Sequence, residues 1–411
     1  LTEVGVGTFV DPRVGTGTQV EPGRGEQMVT AEGDKLRFTL PKITCSVVAA
    51  TYADKDGNIY MKDSPMFTEV RESTRAARNN GGLTIVNVAG IIPRDDANIF
   101  IPADEVDCIV VNRYAEQAVM FPQKKALLGL TPGHKMKDIP KFLDELNMFN
   151  KILKLDPIRN PIEYMLARQA ASVYTGVGFP GVKTIIGYGL PQEVGAMASR
   201  GGIAKDITYL IETGVIGGIP APGFFFGMAI NPEKLVSSAE MFHFIEDNLD
   251  VAILGMLQVD PQGNVNVSRK SQKVKEYVGP GGFINLVTYA KNLIFIGQWT
   301  AKAEMQIVDG KLQVTKRGIP KFVEKLEEIT FSAQNALKRG QNVFYCTTAG
   351  TFRLTERGIE LFQIADGLDI QKDILDVAPW ARIVLPEDGK VQVLDRSIMT
   401  GEGFKLAWKN G

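Results

Sequence analysis

The stretch Val251-Ala-Ile-Leu-Gly-Met-Leu-Gln-Val-Asp260-Pro-Gln-Gly263-Asn264-Val265 decides the fold, because it joins an apolar run to an aspartate and a Gly-Asn turn. An apolar run of this length, bounded by turn residues, is typical of a buried strand. Glycine and asparagine are the residues that most readily adopt the backbone conformations of a tight turn. The stretch therefore predicts a strand followed by a fixed loop at Asp260.

The same pattern occurs earlier in the chain, in Ser46-Val-Val-Ala-Ala-Thr-Tyr-Ala-Asp54-Lys-Asp-Gly57-Asn58-Ile59. Two weaker matches keep the same order. The first pairs Gly7-Thr-Phe-Val-Asp11-Pro12 with Gly227-Met-Ala-Ile-Asn231-Pro232. The second pairs Ala76-Ala-Arg-Asn79, followed by Leu83-Thr-Ile-Val, with Ala290-Lys-Asn292-Leu-Ile-Phe-Ile. Three matches that keep one order indicate a duplicated unit.

The two copies have unequal extents. Before Gly227, the second copy has about sixty residues that begin at a helix-start signal, Asn160-Pro161-Ile-Glu163. Before Gly7, the first copy has six residues. We therefore expect the first copy to lack its N-terminal part, which would be a removed segment, a separate chain or a stretch absent from the structure.

The arrangement of apolar runs predicts an α/β protein of two similar halves with open, mostly parallel sheets. The first half covers residues 1–130 and the second covers 160–411. Residues 131–159 form a connector, because Thr131-Pro132-Gly133 and Asp156-Pro157 are boundary signals. Within the connector, Lys141 to Leu155 has apolar residues at helical spacing and is predicted to form an amphipathic helix.

Composition excludes several classes of function. The 411 residues contain 46 Lys and Arg against 47 Asp and Glu, without a long basic block, which argues against nucleic acid or an anionic membrane as partner. The apolar runs are too short to span a bilayer, and no signal-peptide pattern opens the chain. Cys45, Cys108 and Cys346 are odd in number and far apart, which indicates a reducing compartment, cytosolic or matrix-like, and we predict a cytoplasmic location. With only His134 and His243, no metal site is predicted.

Two glycine-rich turns are candidate ligand sites. The strand Val182–Ile186 leads through Gly187 and Gly189 into a helix, where free N–H groups would bind an anion; the alternative is tight packing of strand against helix. Gly279, Gly281 and Gly282 precede Phe283 and would let a ligand approach the backbone, with their N–H groups facing an oxyanion. The alternative for this second turn is a simple connection between elements.

Gln334 is a candidate by position. Glu328–Ser332 is predicted to be a strand, Ala333–Arg339 a helix and Gln341–Cys346 the next strand. Gln334 would then lie at the carboxyl end of a strand, where open α/β sheets bind ligands. The alternative is an ordinary residue of a first helical turn.

Five motifs together resemble the family I CoA-transferases, and most of all the single-chain acetate/propionate CoA-transferase type. The motifs are Gly5-Val-Gly-Thr-Phe-Val-Asp-Pro-Arg13, Ala53-Asp-Lys-Asp-Gly-Asn58, Gly217-Gly-Ile-Pro-Ala-Pro-Gly223, Val259-Asp-Pro-Gln-Gly-Asn-Val-Asn266 and Gly279-Pro-Gly-Gly-Phe-Ile-Asn285. The resemblance covers nearly the whole chain. It implies a CoA-transferase fold in a homo-oligomer, with the site in the crevice between the two halves.

The resemblance also implies exchange of coenzyme A between a short-chain acyl-CoA and a free carboxylate, without a tightly bound cofactor. In that family a glutamate attacks the thioester, passes through an acyl-glutamyl anhydride and becomes a glutamyl-CoA thioester. The N–H groups of Gly281 and Gly282 would stabilise the oxyanions. Gly263 and Asn264 would help to hold the CoA arm.

One departure from the family pattern bears on activity. We match the glutamate's Thr-Phe-Ser-Gly-Glu context with Thr330-Phe331-Ser332-Ala333-Gln334, which places an amide at the nucleophile position, and Thr347-Thr348-Ala349 also departs from the pattern. The main hypothesis is a CoA-transferase that is disabled or has a replaced nucleophile. The alternatives are a hydrolase of CoA thioesters or carbon–carbon bonds that activates water, and a non-catalytic acyl-CoA-binding protein.

Overall fold

The computed structural model describes residues 1–19, 21–114, 126–154 and 159–409. The chain forms two compact units. The first unit comprises Leu1–Thr39, Asp156–Ile207 and Asp247–Gly411, and the second comprises Leu40–Leu155 and Thr208–Glu246. Both units are discontinuous in sequence, whereas the domains 1–130, 131–159 and 160–411 were defined as continuous segments. Those boundaries stay a prediction about the sequence repeat.

Helices and strands alternate along the described chain. The α-helices are α1 (Val70–Asn79), α2 (Ile139–Leu153), α3 (Pro161–Val177), α4 (Gln192–Arg200), α5 (Ser238–Asn248), α6 (Phe283–Tyr289), α7 (Ala333–Lys338) and α8 (Arg396–Thr400). The strands are β1 (Val29–Glu32), β2 (Lys35–Phe38), β3 (Cys45–Ala49), β4 (Tyr52–Ala53), β5 (Ile59–Tyr60), β6 (Leu83–Val88), β7 (Gly90–Ile91), β8 (Cys108–Val111), β9 (Val182–Ile186), β10 (Ile207–Ile211), β11 (Val215–Ile216), β12 (Ile219–Pro220), β13 (Ala229–Ile230), β14 (Lys234–Leu235), β15 (Val251–Gly255), β16 (Gln258–Val259), β17 (Val265–Asn266), β18 (Asn292–Gly297), β19 (Thr300–Ala301), β20 (Glu304–Val308), β21 (Lys311–Lys316), β22 (Ile319–Pro320), β23 (Asn342–Thr347), β24 (Gly350–Thr355), β25 (Gly358–Ile364), β26 (Ile383–Val384) and β27 (Gln392–Val393).

The first unit is built around the parallel strands β9, β15, β18 and β23, which lie side by side in that order. β24 and β25 extend this sheet antiparallel. Strand β15 is almost wholly buried, as expected for a parallel strand with both faces covered. The predicted α/β class with an open, mostly parallel sheet is confirmed.

Helices cover both faces of this sheet. On one face, Phe283 of α6 packs against Phe295 of β18 with ring centroids 6.0 Å apart. On the other face, Tyr174 of α3 shares a hydrogen bond of 2.9 Å with Thr184 of β9, which is paired with Val251. Helix α3 begins at the predicted capping box of Asn160 and Glu163.

The second unit contains a smaller parallel sheet in the order β3-β6-β8, with α1 between β3 and β6 in sequence. Val48 and Val86 belong to the apolar cluster on the α1 side of this sheet. In the same unit, β4 pairs antiparallel with β5 and parallel with β7. Strand β11 pairs antiparallel with β10 and with β14.

The duplication is confirmed by the two aspartate loops. In one loop, Asp54 accepts hydrogen bonds from the N–H of Asp56 and from the N–H and side-chain amide of Asn58. In the other, Asp260 accepts the same bonds from Gln262 and from Asn264. The hairpins β4–β5 and β16–β17 flank these loops in equivalent registers. The loop is therefore one structural unit used twice.

The two weaker sequence matches do not align structurally. Gly7–Asp11 forms a turn in which the Gly7 N–H donates to Asp11, whereas the segment before Asn231 is strand β13. Asn79 is the last residue of α1, while Asn292 opens β18. Both matches depend on single polar residues whose surroundings differ in the two copies. The pairing of Asp11 with Asn231 and of Asn79 with Asn292 is therefore wrong. Strands β6 and β18 are nevertheless equivalent.

The predicted helix at residues 141–155 is observed as α2, Ile139–Leu153. Asp138 begins it by accepting a hydrogen bond from the Lys141 N–H. The apolar residues in its first half are buried, and those in its last turns are exposed. Leu155 and the boundary signal Asp156-Pro157 lie outside the described residues. No helix in the described ranges combines the length and the apolar character needed to cross a membrane.

One face of the β3-β6-β8 sheet is open. Val47 is 70% exposed, and Leu83 and Val110 are 45% and 48% exposed. In the equivalent position of the first unit, Ile253 is 0% exposed. Parallel sheets are normally covered on both faces. This face is therefore an exposed apolar surface that no described residue of the second unit covers.

Thiol labelling tests this exposure. Cys45 and Cys108 lie on the open sheet and are exposed, whereas Cys346 is buried in β23. We expect two thiols of the folded 411-residue chain to react rapidly with an aromatic disulfide reagent and the third to react only in denaturant. Protection of Cys45 and Cys108 in the folded monomer would contradict the open face.

Candidate functional site

Asn264 links the aspartate loop to helix α7. Its side-chain oxygen accepts a hydrogen bond of 2.8 Å from the Ala333 N–H, and its amide donates to Asp260 at 2.9 Å. Burial raises the pKa of Asp260 above its ordinary value, although the hydrogen bonds from Asn264 oppose that rise. The loop thus positions the residue that precedes Gln334.

Gln334 lies in the first turn of α7 and is exposed. The strand predicted at Glu328–Ser332 is wrong, because this segment forms only an isolated bridge between Phe331 and Val265. Hydrogen bonds from the N–H groups of Thr330 and Phe331 to the Val265 carbonyl hold it in place. Gln334 therefore follows an extended segment that is held by hydrogen bonds, and it does not follow a strand of a sheet.

Asn264 and Gln334 line the same cavity in the first unit, with a volume of about 1010 Å³. Its cationic lining residues are Arg13, Lys338, Arg339, Arg357 and Arg382. Three of these are paired, with Asp11, Glu3 and Glu360. Lys338 and Arg382 form no ion pair with any other residue that the structure describes. The cavity therefore offers unpaired positive charge beside the predicted Asn264 site.

Gly263 packs the loop and does not line this cavity. Its carbonyl accepts a hydrogen bond of 2.6 Å from the Tyr345 hydroxyl, and a Cβ atom at this position would lie 2.9 Å from Leu354 and from Tyr345. Glycine is required here by close packing and by its positive φ of 88°.

The turn at Gly187 and Gly189 lacks the free donors predicted there. The Gly187 N–H donates to the Ile253 carbonyl at 2.8 Å, and the Gly189 N–H donates to the Gln192 side chain at 3.1 Å. The following helix α4 agrees with the sequence prediction, and Gly201 caps its C-terminal end. The bonding favours the alternative of a strand packed tightly against a helix.

The turn at Gly279, Gly281 and Gly282 differs in this respect. Gly279 and Gly281 have positive φ, and Gly282 precedes α6. Within the described ranges, the N–H groups of Gly281 and Gly282 donate no hydrogen bond to the protein. Neither residue lines the cavity that contains Gln334. The N–H groups of Gly281 and Gly282 are therefore available to a ligand.

Glu212, which the sequence analysis missed, has the most perturbed carboxyl group of the described chain. Burial alone raises its pKa to about 7. No described residue forms a hydrogen bond or an ion pair with its side chain. A carboxyl group with strongly shifted pKa and no structural partner is typical of a functional site.

The backbone around Glu212 is fixed within the second unit. The Thr213 carbonyl accepts the Thr68 N–H at 3.1 Å, and the Gly214 N–H donates to Ile211 at 2.9 Å. Gly214 has a φ of 99°, and a Cβ there would lie 1.9 Å from the Val236 carbonyl oxygen. The sequence signal was available: a single acid ends the apolar run Ile207–Ile211 immediately before a glycine-rich turn.

No cluster of three or more His, Cys, Asp or Glu side chains that would hold a metal is found among the residues with described structure. No protein-family model matches the chain.

Individual proteins do match it. The chain is 31% identical over 396 residues to an acetate CoA-transferase, YdiF, of Escherichia coli O157:H7, covering 94% of this chain and 70% of that protein. It is 32% identical over 389 residues to a caffeate CoA-transferase of Acetobacterium woodii, covering 92% and 70%. A crystal structure of the E. coli O157:H7 acyl-CoA transferase, in a thioester complex with CoA, has a TM-score of 0.81 at 27% identity and covers 98% of this chain and 73% of that one.

The two aspartate loops supply a matched pair for a stability test. Asn58 accepts the Ala103 N–H at 3.0 Å just as Asn264 accepts the Ala333 N–H. Asn58→Ala and Asn264→Ala should each lower the free energy of unfolding by about 1–3 kcal/mol, because each leaves a backbone donor unpaired. Urea denaturation measures both. If Asn58→Ala lowered the free energy of unfolding and Asn264→Ala left it unchanged, the two loops would not be equivalent.

The raised pKa of Glu212 predicts a pH-dependent stability. Its protonated form is favoured in the folded state, so the stabilisation is complete below the ordinary carboxyl pKa and is lost as the pH rises through about 7. Relative to the native chain, Glu212→Gln should be equally stable at about pH 4.5 and more stable by on the order of 3 kcal/mol at about pH 8. Denaturant midpoints at the two pH values measure this difference. A constant difference would contradict the enclosed carboxyl.

Proposed function

This chain belongs to the CoA-transferase family, and we propose that it exchanges CoA between acyl-CoA and a carboxylate with Glu212 as the nucleophile in place of Gln334. The observation that carries the proposal is the unpaired, desolvated carboxyl of Glu212. The side-chain amide of Gln334 cannot form the anhydride and thioester that the reaction requires. The assignment of the nucleophile position to Gln334 then came from matching the wrong segment.

The chemistry suits a carboxyl group with a pKa of about 7. Near neutral pH roughly half of such groups are ionised, and partial burial reduces the hydration that the carboxylate must lose before it attacks. The Glu212 carboxylate attacks the thioester carbon and CoA leaves as the thiolate, which forms an anhydride. The thiolate then attacks the glutamyl carbonyl, the acyl carboxylate leaves, and a glutamyl-CoA thioester remains for the acceptor carboxylate.

The groups expected to assist this reaction remain proposals. The N–H groups of Gly281 and Gly282 form no hydrogen bond within the described ranges and are suited to binding an anionic oxygen. Asn264, with the unpaired Lys338 and Arg382, is suited to holding the phosphates of CoA. The bonding of Gly187, Gly189 and Gly263 supports structural roles for these three glycines.

Transferase activity is favoured over the alternatives. The relatives that match nearly the whole chain are named as CoA-transferases. A non-catalytic acyl-CoA-binding protein would not need an unpaired carboxylate whose ionised form destabilises the fold. A short-chain acyl group, a homo-oligomer and a cytoplasmic location stay predictions.

The open face of the β3-β6-β8 sheet supports a companion segment. In the first unit, the equivalent face is covered by α3, and the free edge of β15 is paired with β9. Because β3 lies at a sheet edge and Val47 is exposed, the described residues of the second unit supply neither of these elements. We infer that a helix and a parallel strand, from a companion chain or another segment of the same protein, cover this face.

Variant kinetics test the nucleophile. Glu212→Gln should lower CoA exchange between acetyl-CoA and propionate by at least roughly a thousandfold, since it removes the attacking group. Gln334→Glu should change the exchange rate by less than about threefold. Release of free CoA should stay negligible in both. Exchange that survives in Glu212→Gln, or appears only in Gln334→Glu, would refute the proposal.

Asn264 and Asn58 provide a matched pair for a test of CoA binding. Asn264→Ala should weaken CoA binding beyond its effect on stability, whereas Asn58→Ala should leave CoA affinity unchanged. Equilibrium dialysis with CoA under conditions in which both variants are folded separates the two roles. Equal affinity in both variants would remove Asn264 from the CoA site.

A further inference from the structure

A second cavity of about 730 Å³ lies within the first unit, at the carboxyl ends of its parallel strands. Met256 and Leu257 follow β15, Gln298 follows β18, and Thr348 follows β23. In open α/β sheets, ligands bind at these strand ends. The volume is in the range of small-molecule sites.

The walls of this cavity are mostly apolar. They include Ile162, Leu166, Leu190, Met256, Leu257 and Ile296. Such walls favour a ligand that has a hydrocarbon part, because covering apolar surface releases about 0.8 kcal/mol per methylene group.

Lys321 is the one cationic residue that lines the cavity. Its side chain forms no hydrogen bond or ion pair with another residue of the described ranges. Burial lowers its pKa, and the positive charge of Lys270 lowers that pKa further. An ammonium group that lines a cavity without an acidic partner favours the binding of an anion.

The surrounding contacts leave Lys321 available. Its backbone is fixed independently of the side chain, since its N–H donates to Trp299 and its carbonyl accepts from Val259, both at 2.9 Å. Glu163, the one acidic residue that lines the cavity, accepts the Asn160 N–H at 2.9 Å and lies 3.8 Å from Arg159. The carboxylate of Glu163 is therefore engaged at the start of α3.

We propose that this cavity binds an aliphatic monocarboxylate, with its carboxylate on Lys321 and its chain along the apolar walls. A single ammonium group matches one negative charge, whereas a phosphate would need several donors to replace its hydration. The cavity shares no lining residue with the one that contains Asn264 and Gln334. Binding requires no acyl-CoA, so the inference stands separately from the proposed reaction.

Isothermal titration of the full chain with hexanoate tests the site. Hexanoate should bind, and affinity should rise by roughly threefold to fourfold for each methylene from butyrate to hexanoate. Inorganic phosphate should not displace hexanoate. Undetectable binding of hexanoate, an affinity independent of chain length, or displacement by phosphate would each overturn the proposal.

Variants of Lys321 test whether its positive charge binds the carboxylate of hexanoate. Lys321→Met keeps the unbranched stem and should weaken hexanoate binding at least roughly tenfold, whereas Lys321→Arg should retain most of it. Lys325→Met, at an exposed lysine four residues on, is the matched control and should bind as the native chain does. The near-ultraviolet circular dichroism of Lys321→Met should equal that of the native chain. A correctly folded Lys321→Met that binds hexanoate with native affinity would overturn the proposal.

Discussion

The hydrogen-bonded loop of Asp260 and Asn264 connects the core sheet of the first unit to its candidate site. Asp260 holds the loop by accepting three bonds from Gln262 and Asn264, and Asn264 extends it to the Ala333 N–H. Buried polar groups of this kind are stable only when their bonds are satisfied together. The loop thereby fixes where α7 begins. The same loop, built on Asp54 and Asn58, performs an equivalent structural task in the second unit.

Much of the fold was predictable from the sequence because it depends on local signals. The capping box at Asn160, the strand Val182–Ile186 and the paired aspartate loops each follow from residue types at fixed spacing. The segment Glu328–Ser332 was mispredicted, because its alternating pattern is satisfied by bonds to Val265 and not by a sheet. A hydrogen-bond partner that is distant in sequence cannot be predicted from the local pattern of apolar and polar residues.

The candidate site was less predictable for a related reason. Gln334 stands out only through its neighbours in a motif, whereas the property that distinguishes Glu212 is a desolvated carboxyl without a partner. Burial of one carboxyl depends on segments far away in sequence, such as Thr68 and Val236, which fix the turn around it. The bonding of the glycine N–H groups also became visible only in the folded chain. It separates the turn at Gly281, with free donors, from the turn at Gly187.

We propose that Glu212 carries CoA during the reaction. The most direct measurement is tandem mass spectrometry of the tryptic peptides after brief incubation with acetyl-CoA and acid quenching. We expect a CoA-sized adduct on Glu212, within the peptide Asp206 to Lys234. An adduct on any other peptide, including Leu326 to Lys338 around Gln334, or no adduct in a chain that performs exchange, would contradict it.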